Sequence, residues 1–207
     1  MFHPIVRMSS NPTRGSLRFA FVASIACAAV LAACSELPRR RGQAVESTST
    51  PKLDQQKPVD VVVAPVENET GRKDVPLAAM REAFEKGLVR RRYSPLATEY
   101  VDRRVVDASY TPGSLHEEAV LQVTIETWDV SLLETRGALI VKAHARLLDA
   151  KDPTNGQLWS GAIDHRFDLD ATREHYSTKA AMLQQACERI ADEILAALPA
   201  RSAGPAN

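Results

Sequence analysis

Between Pro58 and Pro65 the chain runs Val59-Asp60-Val61-Val62-Val63-Ala64. A β-branched, almost unbroken apolar run is the pattern of a strand buried on both faces, which belongs inside a sheet. Pro65-Val66-Glu67-Asn68-Glu69-Thr70-Gly71 supplies turn chemistry. Asp74 is a candidate N-cap for a helix reaching about Arg92, with Pro76 tolerated in its first turn. Leu77, Met80, Phe84 and Leu88 share one face of that helix, and charged residues occupy the rest. Arg90-Arg91-Arg92 closes it. Cations there complement the helix dipole, and a phosphate site is the other reading.

Tyr93 to Ala97 reads as a short peripheral strand, because Pro95 lacks a ladder donor. A weak helix or loop follows around Tyr100 to Arg104. From Ala119 to Trp128, Leu121, Val123 and Ile125 alternate with Gln122, Thr124 and Glu126, as in a half-buried strand. Gly137 to Asp149 alternates in the same way, with Leu139, Val141, Ala143, Ala145 and Leu147 inward. After the turn at Asp152 to Gly156, Gln157 to Leu169 is a third strand carrying Trp159, Ile163 and Phe167. Together the three predict an antiparallel meander with one wet face. A helix from about Thr172 to Leu198, stopped by Pro199, carries an apolar stripe through Tyr176, Ala180, Leu183, Cys187, Ile190, Ile194 and Leu198. The stripe fits the sheet or another chain.

The N-terminus has a different pattern. Arg7, Arg14 and Arg18 precede Phe19 to Leu31, an uncharged stretch of small and apolar residues, which is the form of a signal peptide. As a helix, Phe19 to Cys34 reaches roughly 24 Å, short of the roughly 30 Å hydrocarbon core. Leu31-Ala32-Ala33-Cys34 then resembles the bacterial lipobox, with cleavage between Ala33 and Cys34 and lipidation of the Cys34 thiol. Residues 1–33 are therefore read as a lipoprotein signal peptide. By resemblance to Gram-negative sorting patterns, Ser rather than Asp at position 35 implies transfer to the periplasmic face of the outer membrane. Several acyl chains, palmitate among them, hold such a protein durably where a single chain would not.

Ser35 to Lys57 is rich in Ser, Thr, Gln, Arg, Lys and Pro, so residues 34–57 are expected to be a lipidated, disordered tether. Arg39, Arg40 and Arg41 lie near its lipidated end, either on anionic headgroups or in solvent. Ser49-Thr50-Pro51-Lys52 matches the S-x-x-K pattern of penicillin-recognising enzymes by chance, because Pro51 opposes the rigid helical turn that chemistry needs. Residues 200–207 read as a disordered tail.

Composition narrows the function. The 207 residues carry Lys+Arg 26 against Asp+Glu 26, and cleavage before Cys34 removes three arginines and no acid. No general affinity for nucleic acid follows from that balance. Three cysteines support neither a disulfide framework nor a structural zinc site. Cys187, on an apolar stripe, reads as a core residue. No nucleophile elbow, zinc-protease helix or phosphate loop is present, so an enzyme is not expected, nor a cofactor or metal. His144 and His165 are assigned outward phase, where a cross-strand pairing with Asp164 or Asp168 competes with the simpler reading of surface histidines. His116 and His175 are the remaining histidines beyond the leader.

Val62 to Gly71, Ala119 to Trp128, Ala145 to Ala150 and Gly156-Gln157-Leu158-Trp159-Ser160-Gly161 resemble a pattern in the surface-antigen lipoproteins of the bacterial envelope. More distantly the pattern is similar to LpoB-like activators of penicillin-binding proteins and to CsgG-like curli-secretion lipoproteins. The resemblance implies one compact α/β domain over residues 58–199, a mixed sheet of four to five strands flanked by two or three helices. It further implies work by contact with envelope proteins, with a homo-oligomer open as a form. Lys151 to Asn155 is longer than the family's usual turn, and the long insertions of curli-type channels are missing, which argues against a pore. The alternative is a carrier of a small apolar ligand or lipid, with Trp128 and Trp159 as either cavity lining or core.

Overall fold

The computed structural model describes residues 45–107, 110–169 and 178–202. The chain forms β1 (Glu46–Ser49), α1 (Pro51–Gln56), β2 (Asp60–Val63), β3 (Glu67–Asn68), α2 (Leu77–Arg90), β4 (Ser94–Pro95) and α3 (Thr98–Val106). It continues through β5 (Ala119–Asp129), α4 (Leu133–Arg136), β6 (Ala138–Asp149), β7 (Gln157–Asp168) and α5 (Lys179–Leu195). One mixed seven-stranded sheet has the order β1-β7-β6-β5-β2-β4, with β3 also alongside β5. The expected meander is present, β5 to β6 to β7, all antiparallel. Strand β2 runs parallel to β5 and β4, as β3 does to β5.

The sheet is larger than the four to five strands expected, because β1 and β3 carry no apolar pattern. All four residues of β1 are exposed, and what holds it is its ladder to Trp159 through Ala162 of β7. The expected tether is corrected over its described part, 45–57, and its residues 34–44 lie outside the described residues. Leu53 of α1 is 4% exposed and joins the core, and Thr50 ties to Leu158 through its backbone N–H and its hydroxyl. Ser49 ends β1 while Lys52 lies in the first turn of α1, so the S-x-x-K residues do not share a helical turn.

Strand β2 is buried on both faces. Val61 and Val63 enter the main core, and Val62 enters a second cluster with Val101, Leu115, Val120 and Ala150. Helix α2 starts later than expected, because the carboxylate of Asp74 turns back to Arg72 at 2.8 Å and caps nothing. Met80, Phe84 and Leu88 are nonetheless buried as the spacing requires. In α5, Thr178 accepts from the Ala181 N–H as N-cap, and Cys187, Ile190 and Ile194 are fully buried. Its stripe packs within this domain, against α2 and the sheet. The part of the expected helix at 172–177 lies outside the described residues.

At Gly161 the close approach is visible. A Cβ there would lie 2.6 Å from the Trp159 ring and 3.0 Å from the Ile194 carbonyl. The α2 and α5 layer therefore covers one face of the sheet, while α3 covers the β2 end of the other. Over β5, β6, β7 and β1 no other described element covers that second face.

Candidate interaction surface

The open face follows from strand phase. Gln122 and Glu126 of β5, Lys142, His144 and Arg146 of β6, and Asp164 and Arg166 of β7 all leave the core face. Glu126 keeps the outward phase of Gln122, and a register shift between Ile125 and Thr127 resets the phase after it, so Trp128 enters the core at 1% exposure. Lys142 Nζ stands 2.6 Å from Glu126 Oε2, and His144 Nδ1 stands 3.0 Å from Glu126 Oε1. A shallow depression of about 330 Å³ opens beside them, lined by Glu46, Glu126, Lys142, His144 and Asp164 among others. Arg146 donates to Gln122 at 3.3 Å, and Arg166 to Asp168 at 2.8 Å. The face is polar and internally paired. It suits contact with another polar surface.

The Lys142 ammonium, and after it the His144 ring, hold the Glu126 carboxyl below the usual carboxylate range. Glu126 reciprocally raises Lys142. A depressed folded-state value means that the pair contributes stability above the ordinary carboxylate range, and loses it as pH falls through the folded value. In a carbon-detected NMR titration, the Glu126 midpoint is expected below that of a free glutamate and should rise in Lys142→Ala. An unchanged midpoint in the variant would refute the pairing.

His144 is outward, as expected, and its partner is Glu126, not an aspartate. His165 is not outward. It shares the parity of Ile163 and Phe167, stacks on Phe167 at 4.4 Å and meets Glu193 of α5 at 3.2 Å through Nε2. The two histidines therefore lie on opposite faces, and the pairing with Asp164 or Asp168 is replaced by two separate glutamate contacts. Among the described residues no group of three His, Cys, Asp or Glu could hold a metal ion. Burial pushes the Cys187 thiol up to about 12, away from thiolate chemistry. Trp128 and Trp159 are core residues, 1% and 0% exposed. Cys34, Ala33 and His175 lie outside the described residues.

Two buried polar anchors went unread in the sequence. Arg81 is 7% exposed and donates from Nε and Nη2 to the Val63 carbonyl at 2.9 and 2.7 Å, while its Nη1 holds Asp102 of α3. Glu117 is 4% exposed and accepts from the Tyr110 hydroxyl and from the Gly113 and Leu115 N–H groups. Burial, and after it that hydrogen bond to Glu117, raise the Tyr110 phenol. Both anchors brace the α3 side of the sheet, next to the open face.

No family model and no curated protein matches the chain. Solved structures do. The PelC dodecamer from Paraburkholderia phytofirmans is 17% identical, covers 76% of this chain and 99% of its own, and superposes with a TM-score of 0.51. This chain shares that fold. The lipoprotein GNA1162 from Neisseria meningitidis is 21% identical over 68% of this chain and 99% of its own, at a TM-score of 0.44. No helix of the described residues is long and apolar enough to cross a membrane.

Proposed function

We propose that this chain is a lipid-anchored module of the bacterial cell envelope that scaffolds or regulates an assembly by contact and not by catalysis. The observation that carries the reading is Leu31-Ala32-Ala33-Cys34 at the end of an apolar leader, so close to the first strand. The 11 steps along the chain from Cys34 to Val45 span at most roughly 40 Å when fully extended. A lipid on Cys34 would therefore keep the domain at the membrane, at the outer membrane if Ser35 acts as a sorting residue.

Self-association is the form of assembly we favour, because the fold is that of a protein described as a dodecamer. A noncatalytic role is supported by the engagement of His144 and His165 with glutamates and by the buried Cys187. A carrier is disfavoured by the full burial of Trp128 and Trp159 in side-chain packing. Amine-reactive crosslinking in the native envelope is expected to give a ladder at multiples of the monomer mass. Monomer alone, with no other envelope protein captured, would contradict the proposal.

A further inference from the structure

The C-terminal ends of α2 and α5 meet beside the end of α1, and cations collect there. Arg90 is paired with Asp192 of α5. Arg91 donates from Nη1 to the Leu198 carbonyl at 2.7 Å, and the Arg201 backbone N–H returns to the Arg91 carbonyl at 3.0 Å. Tyr93 donates its hydroxyl to the Pro199 carbonyl at 3.1 Å. Between these segments lies a depression of about 280 Å³ lined by Leu53, Asp54, Lys57, Tyr93, Pro199 and Arg201 among others.

Helix C-termini attract cations, and that accounts for part of the cluster. It leaves two features unexplained. The first is charge. The three helix ends supply at most roughly half a negative charge each, and Asp54 one more, against the four cations Arg91, Arg92, Arg201 and Lys57. None of those four forms an ion pair with a carboxylate among the described residues. The fields of Arg201 and Arg91 reach the Tyr93 phenol, opposing the rise that burial causes. The second feature is a donor without an acceptor. Arg201 Nε is shut off from solvent and has no hydrogen-bond partner among the described residues, although Nη1 of the same guanidinium reaches the Arg92 carbonyl at 3.4 Å. A buried charged N–H in that state is costly until an acceptor reaches it.

We propose that this depression binds a phosphate group, with Arg201 and Lys57 as its direct donors and Arg91 and Arg92 supplying the surrounding positive field. A phosphate oxyanion offers acceptors in several directions and more than one negative charge, which suits converging guanidinium and ammonium groups better than a planar carboxylate does. The depression exceeds the volume of the anion, and Leu53 and Pro199 give it an apolar wall. Phosphate carried on a larger molecule, such as a phospholipid headgroup, and free phosphate share this chemistry. The site is independent of the anchor at Cys34.

Calorimetric titration of the full-length protein in a nonionic detergent, at constant ionic strength with chloride as the reference anion, tests it. The two probes are inorganic phosphate and dihexanoylphosphatidylglycerol below its micelle concentration. Saturable binding of at least one probe is expected, weakened about tenfold or more by Arg201→Ala. Lys57→Asn, which keeps a residue tolerant of the left-handed backbone at φ 45°, should weaken it in the same direction and serves if the first variant is unstable. Binding of inorganic phosphate assigns a free anion, and binding of the lipid alone assigns a headgroup. No saturable binding of either probe, or affinity untouched by the substitutions in folded variants, overturns the proposal.

Discussion

Truncating Trp159 to alanine is expected to lower the unfolding free energy by about 3–5 kcal/mol, the range for removing a large buried aromatic side chain. The residue is fully buried. On β7 it faces Ser49 of β1 on one side and Leu147 of β6 on the other, and its ring occupies the space that a side chain at position 161 would need. The loss is therefore felt by the edge strand, the meander and α5 together. Its indole Nε1 is buried without a hydrogen-bond partner among the described residues, so Trp159→Phe discards an unsatisfied donor while keeping an aromatic ring. The phenylalanine variant should consequently lose far less than the alanine variant. Urea unfolding of both variants checks this, and an alanine variant within about 1 kcal/mol of the parent would contradict the packing described.

Arg81→Ala is the second large effect. It orphans the Val63 carbonyl, which takes both guanidinium bonds at the end of a strand buried on its two faces. An unsatisfied buried acceptor costs about 1–3 kcal/mol, and the lost packing of the arginine stem adds to it. Asp102 is half exposed, so it returns to water at little cost once released. That asymmetry predicts where the structure loosens. Amide exchange should accelerate in α3, which Arg81 fastens to α2 and β2, before it does in the meander. Arg81→Lys, with one ammonium in place of a fork, should recover only part of the stability. A variant as stable as the parent, with α3 equally protected, would show that the guanidinium does not brace this side.

The meander was legible because its strands alternate in sequence. Leu139 to Leu147 keep that alternation in the structure, and Leu121, Val123 and Ile125 face the core as expected, although Val120 and Thr124 of β5 are buried on the other face as well. Val61 to Val63 were legible for the opposite reason, since burial on two faces leaves no polar position to interrupt the run. Strand β1 was illegible, since backbone pairing to β7 orders it and the side chains of Glu46 to Ser49 stay in solvent. Trp128 is reached only through the register shift after Ile125. For His165, alternation itself held the answer, as its parity with Ile163 and Phe167 places it under α5.

Polar anchors were hidden for another reason. Arg81 and Arg201 take their meaning from carbonyls elsewhere in the fold, and Glu117 from the irregular loop just before it, and such partnerships leave no periodic trace. Lys57 and Arg201 come together only because α1 and the segment after α5 end at the same place. The anchor proposed at Cys34 is the reverse case, read from a short local pattern that owes nothing to the fold.

Intact-mass and peptide mass spectrometry of the mature protein from its native membrane tests the central reading most directly. The account predicts a chain beginning at Cys34 and carrying a thioether-linked diacylglyceryl group, with an acyl chain on the new amino terminus. A chain that begins elsewhere, or a free thiol at Cys34, would contradict it.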